Sequence, residues 1–319
     1  MSSVAALIQN ENMKIYRRPR TWAMIGILIA AIGLMVGLMK YYEPKESTTD
    51  WKQELTQTNK QLQEELAKLP ADAHPNEKSW QERTIKKNNY YLEHNINPNE
   101  NTLWSIVQAS TNLIMLVTIL TVIVAADMIA AEYSSGTMKL LLIRPASRAK
   151  ILLSKYVSTF IFAIAMLVLL FSVTFLLGGL FEGFGGFDQQ NVFFGNDGEI
   201  HQSSMVLDVL QKYGWAVVEL VLYVTFAFMI SAAFRSSSMA IAFSLMLMLV
   251  GNTIVGIFRN YDWIKYTLFA NIHLSQYVEG GTPPRPDMTL MFSIIVLVCY
   301  FAVFNLVSWL LFTKRDVTA

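Results

Sequence analysis

The residues whose types and spacing are most suggestive of a function lie within positions 127–155. An acidic residue, Glu132, precedes Ser-Ser-Gly-Thr at 134–137, a sequence that favours a turn and can cap a helix that follows it. A short apolar cluster at 138–143 then ends near Pro145, because the residue before a proline is disfavoured in a helix. The pattern predicts a short helix with an exposed apolar ridge, a shape that suits docking into a groove of a partner protein.

Known catalytic motifs are absent from the chain. It has no G-x-x-x-x-G-K-[ST] sequence to hold nucleotide phosphates, no H-E-x-x-H pair for zinc and no G-x-S-x-G nucleophile turn. The histidines fall in predicted loops, and no two have the i, i+4 spacing of a helix-borne metal site: His74, His94, His201 and His273. We therefore predict that the chain is not an enzyme, holds no metal and binds no cofactor of its own.

Three polar residues inside apolar stretches are candidates for a pathway or an interface between helices. A carboxylate such as Glu219 is costly inside a membrane unless it faces protein or water, although it could also reach toward the headgroups. Asn112 and Asn252 could line a pathway, or they could hydrogen-bond between helices as purely structural contacts.

The composition is that of a membrane protein. Of 319 residues, 53% are hydrophobic and only 15% are charged, whereas soluble domains have about 25% charged residues. A helix needs about 20 mostly apolar residues to cross a bilayer. Six stretches qualify as spans: 22–40, 102–131, 157–181, 213–234, 239–258 and 288–312. The predicted fold class is all-α, a polytopic membrane protein with six transmembrane helices.

Lysine and arginine decide the predicted orientation, because cytoplasmic loops carry an excess of both. Cations are dense in 1–21 and in 132–156 and recur in the tail 313–319, whereas acidic residues dominate 182–212. Both termini are therefore predicted in the cytoplasm, in a multi-pass protein of the cell membrane. The formal net charge of +1 gives no reason to expect a nucleic-acid partner.

The segments outside the spans have patterns of their own. Residues 1–21 predict an amphipathic elbow helix along the inner leaflet, with a basic tail that only sets topology as the alternative. Residues 41–101 predict an extracellular helical hairpin, because apolar residues recur along one helical face. Residues 182–212 predict an extracellular loop, and 259–287 an extracellular interfacial or re-entrant element.

Over its whole length the sequence resembles the permease subunits of type-2 ATP-binding-cassette (ABC) transporters. The resemblance rests on the N-terminal elbow, the six spans, the basic pair Lys314-Arg315 and the loop 132–156 between the second and third spans. The loop reads Glu132-x-x-x-Gly136-Thr137…Arg144-Pro145-x-Ser147-Arg148. The long segment 41–101 departs from the small members of that family.

The resemblance implies that the loop 132–156 forms a coupling helix that seats in a cytoplasmic ABC ATPase dimer. The candidate coupling residues, carried over one by one, are Glu132, Gly136, Thr137, Arg144, Pro145 and Arg148. ATP and Mg would be held by the partner ATPase, and a second permease subunit, identical or different, would complete the pathway. The implied function is a permease subunit for export of an amphiphilic substrate, such as a peptide, an antibiotic or a lipid.

Two other classes of function stay open at this point. A membrane-anchored sensor or immunity protein would bind a peptide through the extracellular hairpin and would have no ATPase partner. An intramembrane hydrolase or transferase would need two polar residues at matching depth, but Asp127 and Glu219 are predicted near opposite leaflets. Association with an ATPase distinguishes the transporter from the sensor.

Overall fold

The computed structural model describes residues 3–42, 51–68, 75–98, 100–138, 146–195, 198–277 and 283–314. The first half of the chain forms α1 (Val4–Arg17), α2 (Pro19–Tyr41), α3 (Trp51–Lys68), α4 (Pro75–His94), α5 (Leu103–Ser110) and α6 (Ile114–Ser134). A 3₁₀ turn at Thr111–Leu113 joins α5 to α6. The second half forms α7 (Arg148–Glu182), β1 (Gln190–Phe194), β2 (Ile200–Ser204), α8 (Met205–Ala233), α9 (Ser237–Ile257), α10 (Leu268–Asn271) and α11 (Leu290–Lys314). Two further 3₁₀ turns flank α10, at Asp262–Tyr266 and Leu274–Tyr277.

Six helical stretches among the described residues are long and apolar enough to cross a membrane. One of them is the continuous stretch formed by α5 and α6. The other five are the single helices α2, α7, α8, α9 and α11. This confirms the predicted all-α class and the predicted number of candidate spans. The most buried of the six are the α5–α6 stretch and α8, which pack against each other in the centre of the bundle.

Several element bounds differ from the sequence prediction. Helix α7 begins at Arg148 and α8 at Met205, several residues before the apolar stretches from which their spans were predicted. The segment predicted as the loop 182–212 contains the antiparallel hairpin β1–β2, in which Gln190 pairs with Ser204 and Phe194 with Ile200. Span prediction measures apolar length, so it gives no signal for polar helical turns or for a short hairpin.

Local sequence explains where the helices begin. The Ser3 hydroxyl accepts a hydrogen bond from Ala6 N at the start of α1, and Pro19 occupies the first turn of α2. Thr102 and Ser105 form a reciprocal capping box at the start of α5. Ser147 caps α7 through Lys150 N.

The junction between α5 and α6 has a local cause as well. Ser110, Thr111 and Asn112 each donate a side-chain hydrogen bond to the backbone carbonyl three residues earlier. Such local bonds compete with the regular helical ladder, and the chain tightens into a 3₁₀ turn at this point. The polar turn therefore interrupts an otherwise apolar spanning stretch.

Helices α3 and α4 pack against each other through asparagines. Asn88 Nδ2 donates to Asn59 Oδ1 at 2.8 Å, and Asn59 Nδ2 donates to Asn89 Oδ1 at 2.8 Å. Helix α4 also contacts the β1–β2 hairpin, because Lys86 Nζ lies 2.9 Å from Glu199 Oε2. The described parts of the segment 41–101 are thus attached to the hairpin that precedes α8.

Candidate functional site

The chain leaves α6 through a left-handed turn at Gly136. Gly136 has a φ of +70°, and its N–H donates to Tyr133 O at 3.1 Å. Most L-residues are strained in this conformation, so glycine suits the turn. Just beyond it, the Thr137 hydroxyl donates to the Glu132 carboxylate. Three of the predicted coupling residues are therefore adjacent in space at the end of α6.

Glu132 belongs to a buried ion cluster that consists of Glu11, Lys14, Glu132 and Lys155. Lys155 Nζ on α7 lies 2.7 Å from Glu11 Oε2 on α1 and 2.9 Å from Glu132 Oε1 on α6. Lys14 Nζ lies 2.9 Å from each of the same two carboxyl groups. Two positive and two negative side chains thus join the ends of α6 and α7 to α1.

The Lys155 ammonium is the most enclosed member of the ion cluster, with its side chain 1% exposed. Burial alone would raise the pKa of Glu11, but the Lys155 charge and the hydrogen bonds from Lys155 and Lys14 hold it below its ordinary value. Burial would lower the pKa of Lys14, and the hydrogen bonds to Glu132 and Glu11 raise it instead. Both shifts favour the charged forms, so Glu11 and Lys14 stay ionised at neutral pH.

The other predicted coupling residues are distributed differently. Arg148, the first residue of α7, donates from Nη1 to Thr313 O at 2.8 Å, in the last turn of α11. Arg144 and Pro145 lie outside the described residues. Arg148 therefore links the far end of the loop to the final helix.

Sequence reasoning missed the pairing of Glu11 with Lys155. The available signal was the position of Glu11 on α1, because Leu7, Glu11 and Ile15 recur every four residues and form its buried face. An acidic residue in the middle of a buried face predicts a buried cation opposite it.

A second buried carboxylate joins the junction of α1 and α2 to the same end of the bundle. Asp127 on α6 is 2% exposed and accepts hydrogen bonds from Arg18, Arg20 and Ser237. One turn further along α6, Ile129 N and Ala130 N lie 2.9 and 3.1 Å from Ser231 Oγ on α8. The end of α6 is thus bonded to α2, α8 and α9 as well as to α1 and α7.

A cavity of about 340 Å³ lies nearer the other end of α6, between α6, α8, α9 and the segment 262–277. We call it the Glu219 cavity. All three residues predicted for a pathway or an interface line it: Asn112, Glu219 and Asn252. The structure thus brings them together, and their role in a pathway stays a prediction.

Inside the Glu219 cavity, one histidine connects two of these residues. His273 Nδ1 lies 3.1 Å from Glu219 Oε1, and His273 Nε2 lies 3.3 Å from Asn252 Nδ2. A neutral ring with its proton on Nδ1 satisfies both contacts, because Nδ1–H then donates to the carboxylate and Nε2 accepts from the amide. No sequence pattern selects His273, since it lies 54 residues from Glu219 along the chain.

A metal centre is not evident in the part of the chain that the structure describes. No three His, Cys, Asp or Glu side chains come together there in an arrangement that could hold a metal ion. Among the described residues, the ion cluster beside the loop and the Glu219 cavity combine predicted site residues with buried polar contacts.

Comparison with known proteins identifies the family. A family described as "Protein of unknown function (DUF2705)" matches residues 79–318. The chain is 40% identical over 315 residues to "Uncharacterized protein YhcI" of Bacillus subtilis (strain 168). This alignment covers 98% of this chain and 98% of YhcI. It is 31% identical over 208 residues to "Uncharacterized membrane protein YdbK" of the same organism, covering 65% of this chain and 80% of YdbK. The chain belongs to the DUF2705 family.

This DUF2705 protein is a multi-pass membrane protein. The six long apolar helical stretches among the described residues support this, and the relative YdbK is named a membrane protein. The family match begins at residue 79 and so includes Glu132, Lys155 and the Glu219 cavity, whereas helix α1 precedes it. The names of the two relatives give no activity, so a function must be argued from the site itself.

Proposed function

We propose that this DUF2705 protein is the transmembrane subunit of a transporter that a separate ABC ATPase drives. The observation that carries the proposal is the attachment of the loop after α6. The ion cluster ties both helices that flank the loop, α6 and α7, to α1 through contacts of 2.7–2.9 Å. A partner that displaces the loop would therefore move three helix ends together.

The cost of burying charges supports a mechanical role for this attachment. A loop that only sets topology needs solvated cations, whereas a buried ion pair gains little net stability over apolar packing. What the ion cluster does provide is a stiff connection, because each ammonium group contacts two carboxyl groups on two different helices. In this proposal α1 acts as the elbow helix and the loop as the coupling element.

Helix α6 supplies the path from the loop to the cavity. It is one continuous helix of 21 residues, about 30 Å long, with Glu132 near its last turn. Ile114, Met115 and Thr118 in its first turns line the Glu219 cavity. A small shift at the loop would therefore reach the cavity wall without passing through a flexible joint.

The proposed orientation follows the charge distribution, whereas the second subunit and the direction of transport follow the resemblance to type-2 ABC permeases. The loop, α1 and the end of α11 lie on the cytoplasmic side, where an ATPase dimer with ATP and Mg could reach the loop. Helices α3 and α4 and the β1–β2 hairpin lie outside. A second permease subunit completes the pathway, and the direction is export of an amphiphilic substrate.

Site-specific crosslinking tests the docking of an ATPase. In a Cys299→Ser background, the Ser135→Cys variant places a single cysteine beside Gly136, where Ser135 is exposed. We expect it to crosslink to a co-expressed ABC ATPase from the same genome. The matched Glu199→Cys variant, on the β1–β2 hairpin, should give no crosslink. Equal crosslinking of both variants, or none from Ser135→Cys, would count against the proposal and favour the sensor.

Two glycines with similar backbone conformations test coupling separately from docking. Gly136 and Gly198 have φ values of +70° and +76°, and an added Cβ at either would meet no atom within 4 Å. Valine at each should therefore introduce a similar local strain, about 1–2 kcal/mol. Gly136→Val should reduce the ATPase activity stimulated by the membrane subunit, and Gly198→Val should leave it unchanged. Equal effects of the two variants would show that the turn after α6 has no special role.

A further inference from the structure

The walls of the Glu219 cavity combine one carboxylate with aromatic and thioether side chains. Glu219 is 17% exposed and faces a space also lined by Trp215, Tyr223 and Met248. A carboxylate attracts an ammonium group, and the faces of tryptophan and tyrosine attract the same cation. A volume of about 340 Å³ lies within the range of small-molecule sites.

We propose that the Glu219 cavity binds the ammonium head of a cationic amphiphile, with Glu219 as its counter-ion and the apolar tail passing Met115 toward the bilayer. Met115 is 52% exposed at the rim of the cavity, which leaves a route for a tail. The inference names a substrate class and rests on the proposed transport function for its biological meaning.

The charges around the cavity fix where the cation sits. From α8, Glu219, Lys212 and Tyr223 face the space, and His273 faces it from the segment 262–277. The turn 111–113, α6 and α9 contribute only uncharged residues to the wall. Lys212 lies seven residues before Glu219, about 10 Å away along the helix axis. Among the described residues that line the cavity, Glu219 supplies the one carboxylate, so the ammonium head is placed at Glu219 and not near the beginning of α8.

His273 makes the site sensitive to protons. With a neutral ring, His273 gives the Glu219 carboxyl group a hydrogen bond but no positive charge, so this group stays available to the ammonium head. With a protonated ring, the imidazolium neutralises Glu219, and Nε2–H faces the Asn252 Nδ2 donor that lies 3.3 Å away. A cationic ligand and the second proton of His273 thus compete for the same carboxylate.

The direction of the pH effect follows from this competition. Desolvation lowers the pKa of His273, but the hydrogen bond and negative charge of Glu219 outweigh it and raise the pKa above its ordinary value. Ligand affinity should therefore be low in acid, rise as the pH passes the pKa of His273, and level off above it. The release of a proton to solvent should accompany binding in the lower part of this range.

A binding experiment on the full chain in phosphatidylcholine nanodiscs tests the proposal. The probe is dodecylammonium with a diazirine in its tail, and the matched neutral probe is the corresponding dodecanol. We expect the ammonium probe to label peptides that line the cavity, with at least tenfold weaker apparent affinity in Glu219→Gln. Glu199→Gln, which removes a carboxylate of the β1–β2 hairpin, should bind like the wild type. Equal labelling by the neutral probe, or no loss in Glu219→Gln, would overturn the proposal.

A second variant keeps the test decisive if Glu219→Gln folds poorly. His273→Gln retains the carboxylate and removes the titrating ring, so its affinity should no longer change between about pH 5 and about pH 8. The wild type should gain about tenfold over the same range. Parallel pH profiles in the two proteins would contradict the assigned role of His273.

The source of the ammonium group is resolved by changing the lipid. If a membrane lipid is the natural occupant, nanodiscs with phosphatidylethanolamine should weaken labelling by the probe, because its headgroup also carries an ammonium. Unchanged labelling would assign the site to a free amphiphile. Neither result depends on an ATPase, so failure of crosslinking at Ser135→Cys and failure of binding at Glu219 remain separate outcomes.

Discussion

Lys155 illustrates how a single side chain can join distant parts of the sequence. Its ammonium group is enclosed between Glu11 and Glu132, which lie 144 and 23 residues away along the chain. A buried ammonium stays charged only when carboxylates compensate for the lost hydration. Removing one charge of such a cluster therefore lowers the free energy of unfolding by more than the whole cluster contributes to it.

We expect Lys155→Met to destabilise the protein by about 3–5 kcal/mol, because it leaves Glu11 and Glu132 buried with less compensation. Thermal unfolding of the purified protein in detergent measures the loss. Lys150→Met, five residues earlier on α7, should change the melting temperature little. The double variant Glu11→Gln with Lys155→Met should be more stable than Lys155→Met alone, because it removes one of the buried carboxylates as well. Equal stability of the double and single variants would show that Glu11 and Lys155 are not energetically coupled.

The same charges predict a pH dependence for the attachment of α1. The pKa of Glu11 lies below its ordinary value of 4.5, so its contribution is present at neutral pH and is lost as the pH falls through the lowered value. The pKa of Lys14 lies above 10.5, so its contribution is lost only as the pH rises through the raised value. Between these limits the attachment should not change with pH.

Hydrogen exchange of the residues Val4–Arg17 measures this attachment directly. Protection of α1 should stay constant through the neutral range and fall in acid at a pH below 4.5. In Glu11→Gln protection should be lower throughout, and the acid step should be smaller, because the contact of Lys14 with Glu132 remains. A loss of α1 protection near pH 6 would contradict the assignment, because the pKa of Glu11 lies below 4.5.

At the scale of elements, the apolar stretches predicted the number of spans but not the ends of the helices. The basic turn Arg148–Lys150 is too polar to count toward a span, and it is nevertheless part of α7 because Ser147 caps the helix there. The β1–β2 hairpin was missed for a similar reason. Only Val192 of its residues is fully enclosed, so its sequence lacks a strong alternating pattern.

Close approach of α9 and α10 positions the cavity. A Cβ built on Gly251 would lie 2.3 Å from the Phe269 ring, so glycine is needed for the ring to pack there. Phe269 belongs to α10, which precedes His273, and Gly251 precedes Asn252. The contact between these two elements therefore sets the separation of His273 from Asn252.

We expect Gly251→Ala to displace Phe269 and to destabilise the protein by about 1–3 kcal/mol through overpacking. It should also weaken binding of the ammonium probe, because the pair His273–Asn252 moves with the two elements. Gly256→Ala is the matched control on the same helix, since its Cβ would meet nothing within 4 Å. Equal melting temperatures for the two variants would refute the close-approach argument.

At the scale of the whole molecule, composition indicates a membrane protein, but pairing across the chain needs three-dimensional structure. Asp127 was predicted at the inner boundary of its span, and its contacts with Arg18, Arg20 and Ser237 come from two elements more than 100 residues away. No local pattern encodes which cation meets which acid. The predicted candidates Asn112, Glu219 and Asn252 meet at one cavity because the packing of α6, α8 and α9 brings them together.

The proposed orientation predicts that the turn after α6 and the β1–β2 hairpin lie on opposite sides of the membrane. In a Cys299→Ser background, a membrane-impermeant maleimide should label Glu199→Cys in intact cells and Ser135→Cys only after permeabilisation. The native single cysteine is the control: Cys299 is exposed on the apolar helix α11, and labelling should stay low in both conditions because a thiol in lipid is shielded from an aqueous reagent. Labelling of Ser135→Cys from outside would place the ion cluster and the loop away from cytoplasmic ATP. The transporter proposal would then fail, while binding of a cation at Glu219 could still be tested in nanodiscs.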